Sequence, residues 1–447
     1  MSKKYFKNLF TPKHNFLIMC FALYMFFYMT SLTAINYNAT GVVGYDEQIL
    51  FYYIDMALVV VGFIVYAFYY DVLNKKEFPF VISIIYIVLL MTVFFIKGKV
   101  IYEIFAPMAF LLLGFFGGFF YTFMANGSYG DKYQGMIMGL GGALAIFVQC
   151  FIQIFLKVPA NIIFLLDILI VIVFIVFKGR YKEYVPVLSD TKENIKYNDV
   201  LIVLIVAGIV FLEFCFDNKL EYLLVMDEFT NYNIYSWPRI IAGFSYILFG
   251  FVHDARKGRY DEIMLLVAAL ICIISTIILT LINNFNLAII LFYLQLGLLL
   301  SYYNLVFWNL AVHKKYLSLW ASMGRIIDGG VSVILAICIS GVIDLYVEII
   351  IEIIVVILTL VLITISSNKR IDNAQYEFDV DEFARQYELT QRESEVLLLL
   401  LNPDIGVEEM AEQFYISRRT LQRHISSIYE KCKVNNRPGL IKLVYKH

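Results

Sequence analysis

The chain has 447 residues, of which 61% are hydrophobic and only 16% charged. That balance excludes an ordinary soluble domain and indicates a polytopic membrane protein. The net charge of −2 conceals a segregation of charge along the chain, and the six cysteines lack any paired spacing, so neither a disulfide framework, a metal site nor another cofactor is expected.

The first fourteen residues are basic and lead into an apolar run without a small-residue cleavage site, which reads as an uncleaved first helix. Apolar runs of spanning length follow one another, expected near Asn15–Asn36, Gln48–Tyr70, Pro79–Ile96, Ile101–Ala125, Gly135–Leu156, Ala160–Phe177, Asp199–Phe216, Tyr235–Val252, Glu262–Ile282, Leu287–Asn309, Ser318–Ser340 and Ile343–Ser366. The sequence therefore predicts about twelve transmembrane helices. The seventh run is the least regular, because Glu213 and Asp217 interrupt its end.

Lysine and arginine set the expected orientation. With the N-terminus inside, inner segments hold nineteen of them, and outer loops hold only Lys97, Lys99, Lys157 and Lys219. An even number of crossings returns the C-terminus to the cytoplasm, so a multi-pass protein of the inner (cytoplasmic) membrane is expected, with both termini cytoplasmic.

The charged connector from Lys178 to Asn198 divides the spans into six plus six. The joint after span two reads Ala67-x-x-x-Asp71-x-x-x-Lys75-Lys76, and the joint after span eight reads Gly250-x-x-x-Asp254-x-x-x-Gly258-Arg259. The recurrence of one Asp-to-cation spacing is a weak internal repeat. In these residues, and in the twelve spans around a long middle loop, the chain resembles the major facilitator superfamily, with one extra residue between Asp254 and Gly258. A simpler reading of each Asp is a helix-end residue beside inner-loop cations.

Ionisable residues at membrane depth are costly and are default functional candidates. Glu213 and Asp217 close span seven on the expected outer side, and Arg239 opens span eight there. Arg325 and Asp328 sit one helical turn apart toward the inner end of span eleven, and Glu348 and Glu352 stack in span twelve. The candidate sensor set is Glu213, Asp217, Arg239, Arg325 and Asp328. Packing offers an alternative for the Arg325–Asp328 pair, an interhelical lock. Trp237, Trp308 and Trp320 lie near span ends, where an interfacial belt is expected.

Residues 1–368 thus read as the membrane domain, 369–388 as a cytoplasmic linker and 389–447 as a small terminal domain. Within the linker, Phe383, Ala384 and Tyr387 fit a short amphipathic helix. Thr390 is placed to cap a helix ended by Asn402-Pro403. Val407, Met410, Ala411 and Phe414 repeat at helical spacing. After a turn, Ser417 is placed to cap a third helix from Arg418 to Lys431, with Leu421, Ile425 and Ile428 as its buried stripe. A helix-turn-helix with a basic, hydrogen-bonding outer face is the pattern for reading the major groove.

The segment resembles the LuxR/GerE-type DNA-binding domain. The matching residues are Leu389-Thr390-x-Arg392-Glu393-x-Glu395-Val396-Leu397, Glu409-x-Ala411, Ile416-Ser417-x-x-Thr420-Leu421-x-x-His424, Ile428, Lys431, Val434 and Arg437. The resemblance implies a four-helix domain in which Gln422, Arg423 and Ser426 meet base edges. It places Arg418, Arg419, Thr420 and Lys431 near phosphates, with Ser417 at the helix start. Charge agrees: from Ile416 onward there are eight cations and one acid, whereas Thr390 to Tyr415 carries one cation and six acids.

The fold class expected is therefore all-α: a facilitator-like, six-plus-six membrane bundle followed by the helix-turn-helix domain. The function expected is a membrane-bound, one-component bacterial transcription regulator, and not an enzyme, since no phosphate loop, HExxH or nucleophile elbow occurs. Its expected partners are double-stranded promoter DNA, an unidentified small-molecule ligand and membrane lipid. A homodimer formed through Leu440, Leu443 and Val444 of the last helix, and RNA polymerase, complete the set. The alternative is a facilitator-type transporter with a fused regulatory DNA-binding domain.

Overall fold

The computed structural model describes residues 8–39, 45–70, 78–96, 98–156, 195–225, 237–282, 284–339, 345–373, 380–401, 406–414 and 416–444. The sixth expected span, most of the middle connector, and Asp71 lie outside the described residues. The chain divides into two compact units, Met1–Ser366 and Ser367–His447.

In the first unit the helices are α1 (Pro12–Ala39), α2 (Tyr45–Phe68), α3 (Phe78–Phe95), α4 (Lys99–Ser128) and α5 (Gln134–Cys150), then α6 (Tyr197–Val225), α7 (Ile240–Arg256), α8 (Asp261–Ile277), α9 (Phe285–Ala311), α10 (Leu317–Ile339) and α11 (Leu345–Asn373). Short π-helical turns, Phe151–Phe155 and Ile278–Ile282, extend α5 and α8. Among the described residues eight helices are long and apolar enough to cross a membrane. Three further helices, α3, α7 and α11, fall on the third, eighth and twelfth expected spans. Helix α6 runs without a break through Glu213 and Asp217 to Val225, while its apolar spanning part, Tyr197–Phe216, stops where the seventh expected span stops.

Packing reveals the repeat that the sequence only hinted at. In the first half α2 packs on α4, α1 on α5 and α3 on α4. The second half repeats these pairs with α7 on α9, α6 on α10 and α8 on α9. Across the seam α5 meets α7 and α2 meets α10, which are equivalent under the same exchange. With no hydrophobic drive between helices in lipid, such seams depend on close approach of small residues. A Cβ built on Gly62 of α2 would lie 2.9 Å from the Gly114 Cα of α4, and the reverse holds at the same distance. The α3 residues Val81, Ile84, Ile85, Val88 and Met91 turn outward, an apolar face suited to lipid. Trp308 and Trp320 depart from the expected interfacial belt: both are buried, and Trp308 packs edge-on against Phe21 and Tyr121.

The second unit contains α12 (Val380–Gln386), α13 (Gln391–Leu400), α14 (Val407–Gln413), α15 (Arg418–Lys431) and α16 (Arg437–Val444). Thr390 and Glu393 form a reciprocal capping box at the start of α13, and the Ser417 side chain accepts from Thr420 N at the start of α15. Val396, Leu397, Leu400, Met410, Leu421, Ile425 and Ile428 build one core. Phe383 of α12 is buried in that core, so the packed unit begins inside the stretch expected to be linker. Leu440 and Val444 are also core residues, with Leu443 packed against them. This corrects the expected dimer contact: those side chains hold α16 to its own domain.

Candidate DNA interface and candidate effector cavity

Helix α15 separates its faces cleanly. Leu421, Ile425 and Ile428 are buried. Ser417, Arg418, Arg419, Thr420, Gln422, Arg423 and Ser426 are all exposed. Arg418, Gln422 and Ser426 form one i, i+4, i+8 row, with Arg419 and Arg423 beside it, so the hydrogen-bonding groups stand on a single stripe. The N-terminal end of the helix adds its own positive potential beside Arg418 and Arg419. Arg418 also meets Glu408 at 2.6 Å, with both groups largely in solvent, a pair of small energetic weight.

Lys431 is placed differently from the rest of the expected contact set. Its ammonium donates to Glu393 Oε2 at 2.7 Å and to the Glu388 carbonyl at 2.9 Å. Glu393 is buried, and it also accepts from Thr390 N (2.7 Å), the Thr390 hydroxyl (2.9 Å) and the Ser427 hydroxyl (2.5 Å). Burial pushes this carboxyl up, but the bonds from Lys431, Ser427 and Thr390 prevail and hold it at about 2. Lys431 thus ties the end of α15 to the start of α13 and does not join the open stripe. Arg437 is likewise engaged inside the domain, donating from Nε to the Leu400 carbonyl at 2.8 Å. The open positive charge on α15 therefore rests on Arg418, Arg419 and Arg423.

In the membrane unit a cavity of about 270 Å³ lies between the two halves. Glu213, Arg239, Arg325 and Asp328 all line it, joined by Met25, Tyr28, Met29, Tyr52, Tyr53, Met56 and Tyr246. Four of the five candidate sensor residues are thereby brought to one site; the Asp217 side chain lies outside the described residues. Arg325, expected near the inner end of its span, stands eight residues into α10, about 12 Å along the axis. Its Nη1 donates to Asp328 Oδ2 at 2.8 Å and its Nε to the Tyr121 hydroxyl at 3.0 Å. The guanidinium lies over the Tyr28 ring at 5.1 Å and the Tyr303 ring at 6.0 Å, so cation–π contact supplements the ion pair in holding this buried charge.

Contacts between the halves gather at the end of the bundle where α1 begins. The Tyr129 hydroxyl meets His313 Nε2 at 2.9 Å, and the Thr122 hydroxyl donates to Ser318 Oγ at 2.9 Å. Asp254 accepts from Gly135 N at 2.8 Å and Met136 N at 3.0 Å, so this repeat-motif carboxylate caps α5 across the seam. Within each half one ion pair fastens the first helix to the tight turn near this end. In the first half Asp131 takes His14 at 2.9 Å and Lys13 at 3.4 Å. In the second half the signs are exchanged, and Asp199 at the start of α6 takes the buried Lys314. On α1 the cavity is lined by Met25, Tyr28, Met29 and Leu32, toward the opposite end.

Sequence reasoning missed Asp55, which is fully buried in α2 with no hydrogen-bond partner on either carboxylate oxygen among the described residues. The rule that flagged Glu213 would have flagged it, since it is a carboxylate inside an apolar run. The tyrosines around Arg325 carried no such signal, because tyrosine is common throughout this chain.

Comparison with known proteins divides along the same line. The family model described as bacterial regulatory proteins, luxR family, matches residues 387–444. No curated protein matches the chain. Among solved structures, the human organic anion transporter MFSD10 (TETRAN) is similar with a TM-score of 0.52 at 9% sequence identity, over 78% of this chain and 100% of that one. At that identity the likeness is one of fold.

Proposed function

Residues 387–444 are a luxR-family DNA-binding domain and the helices before them have the facilitator fold; from this we propose that the protein is a membrane-embedded, one-component transcription regulator. The cavity between the halves takes a small-molecule effector, and α15 reads promoter DNA at the inner face of the membrane. The observation that carries this reading is the stripe from Arg418 to Ser426. Its side chains are exposed, on a domain joined in one chain to a bundle with a charged internal cavity. The lysine and arginine distribution assigns the end bearing the His14–Asp131 and Tyr129–His313 contacts to the cytoplasm. The cavity then faces the outside, and the effector is extracellular or periplasmic.

Coupling follows from shared helices. Helix α10 carries Arg325 and Asp328 in the cavity and Ser318 in the inner closure. An effector that favours one arrangement of α10 shifts the population of closed and open seams, and can act only through that difference in affinity. The test is a promoter-binding assay on the full chain in nanodiscs, with a binding site selected from random duplexes. Salt-dependent, sequence-selective retention is expected, and its absence would remove the reading.

A transporter with a fused regulatory domain is the second reading, favoured by the seam contacts clustered at one end beyond a central cavity. Gradient-driven accumulation of the effector in proteoliposomes would establish it in place of a pure sensor.

A further inference from the structure

We propose that the cavity recognises a small zwitterion, an α-amino acid with an apolar side chain, and that Arg325 and Asp328 read its two charged groups. The inference rests on the cavity being the effector site. Arg325 uses Nε and Nη1 on oxygen acceptors, but Nη2 faces only the Met25 thioether, at 3.8 Å, among the described residues. A thioether is a weak acceptor for a cationic donor, so this edge of the guanidinium is open to a better one. Asp328 directs Oδ2 to Arg325 and to the Tyr303 hydroxyl at 3.2 Å, while Oδ1 makes no hydrogen bond among the described residues. Both residues line the cavity. One helical turn of α10 thus presents an open N–H edge beside an open carboxylate oxygen.

A ligand carboxylate on Nη2 and a ligand ammonium on Oδ1 would lie antiparallel to the resident ion pair, so that each charge gains a second opposite neighbour. A simple anion would sit beside Asp328 and a simple cation beside Arg325, each repelled by the charge it cannot match. The hydroxyl of Tyr246, buried and without a hydrogen-bond partner among the described residues, supplies a further donor at the same wall. Met29, Met56, Tyr52 and Tyr53 provide the apolar remainder, fitted to an aliphatic or aromatic side chain.

The test is calorimetric titration of the full chain in nanodiscs with L-phenylalanine, L-leucine and L-methionine. Each is paired with the carboxylic acid lacking its amino group and the amine lacking its carboxylate. At least one amino acid is expected to bind, with both of its analogues about tenfold weaker or worse. Asp328→Asn is expected to weaken the amino acid and not the deaminated acid. Tyr246→Phe, which removes only a hydroxyl, is expected to weaken both while preserving the fold. An analogue that binds as tightly as its amino acid, yet loses affinity in Tyr246→Phe, would overturn the zwitterion and leave the cavity as an effector site. Absence of binding by every probe would overturn the proposal as well, whereas failure of the regulator reading would appear separately, as loss of selective DNA retention by the same preparation.

Discussion

The two units of this chain arrange charge in opposite senses. The membrane unit turns apolar side chains outward, as along α3, and gathers Glu213, Arg239, Arg325 and Asp328 around an internal cavity. The terminal unit buries Leu421, Ile425 and Ile428 and sets Arg418, Arg419 and Arg423 in solvent. Each arrangement answers its solvent, lipid in one case and water in the other. Under the proposed function the charge stands where it is needed: inward for a small ligand, outward for a polyanion. Each unit also keeps an ion pair joining its elements, the buried Asp199 with Lys314 in one and the buried Glu393 with the half-buried Lys431 in the other.

The largest expected effect breaks the membrane side of this contrast. Gly114→Leu drives a side chain into the backbone of α2 around Val59 and Gly62, where no rotamer relieves the overlap. A loss of about 3 kcal/mol or more is expected, read as a lower unfolding temperature in detergent, with DNA binding by the terminal unit unaffected.

The next effect concerns the ion pair of the terminal unit. Lys431→Ala leaves the Glu393 carboxylate without its half-buried cation, and about 2 kcal/mol of stability should be lost, measured by urea unfolding of residues 380–447. A paired Glu393→Gln change should recover part of it. The same carboxyl gives a pH signature. Its folded value, about 2, lies below the ordinary 4.5, so its contribution is complete above pH 4.5 and is lost as pH falls through about 2. In Glu393→Gln that acid limb should flatten.

Smaller still are the effects on the open face. Arg423→Ala should cost about 1–3 kcal/mol against the preferred sequence and much less against random duplex. Arg419→Ala should weaken both alike and reduce the salt slope by about 1. The smallest is Arg418→Ala on stability: the exposed pair with Glu408 predicts a change below about 1 kcal/mol, although its loss should lower DNA affinity as Arg419→Ala does. If Arg423→Ala and Arg419→Ala act equally on both duplexes, the division of the stripe into base-reading and phosphate-facing residues is wrong.

How much of this was legible beforehand differs between the units. In the terminal unit local signals sufficed, because caps, breakers and helical spacing at Thr390, Ser417 and Leu421 fix neighbouring turns. The partner of Lys431 was not legible, because its sequence position marks only a basic helix end and the buried acceptor comes from thirty-eight residues away. Leu440 and Val444 misled for the same reason, since an apolar face does not state whether its cover is intramolecular. In the membrane unit hydropathy marked the spans, and the cost of buried charge marked Glu213, Arg239, Arg325 and Asp328. What brought them together was the packing of α6, α7 and α10 within the second half, which no local pattern encodes. The charge-reversed pairing of Asp131 and Asp199 was invisible for a further reason: equivalent positions carry opposite signs, so the repeat cannot be found by identity.

The most direct measurement of the central claim compares inside-out with right-side-out membrane vesicles bearing the full chain, using labelled duplex DNA over a range of salt. Retention by inside-out vesicles alone is expected, falling steeply with salt and reduced by Arg419→Ala. Retention by right-side-out vesicles, or by neither kind, would contradict a DNA-reading helix tethered at the inner face of the membrane.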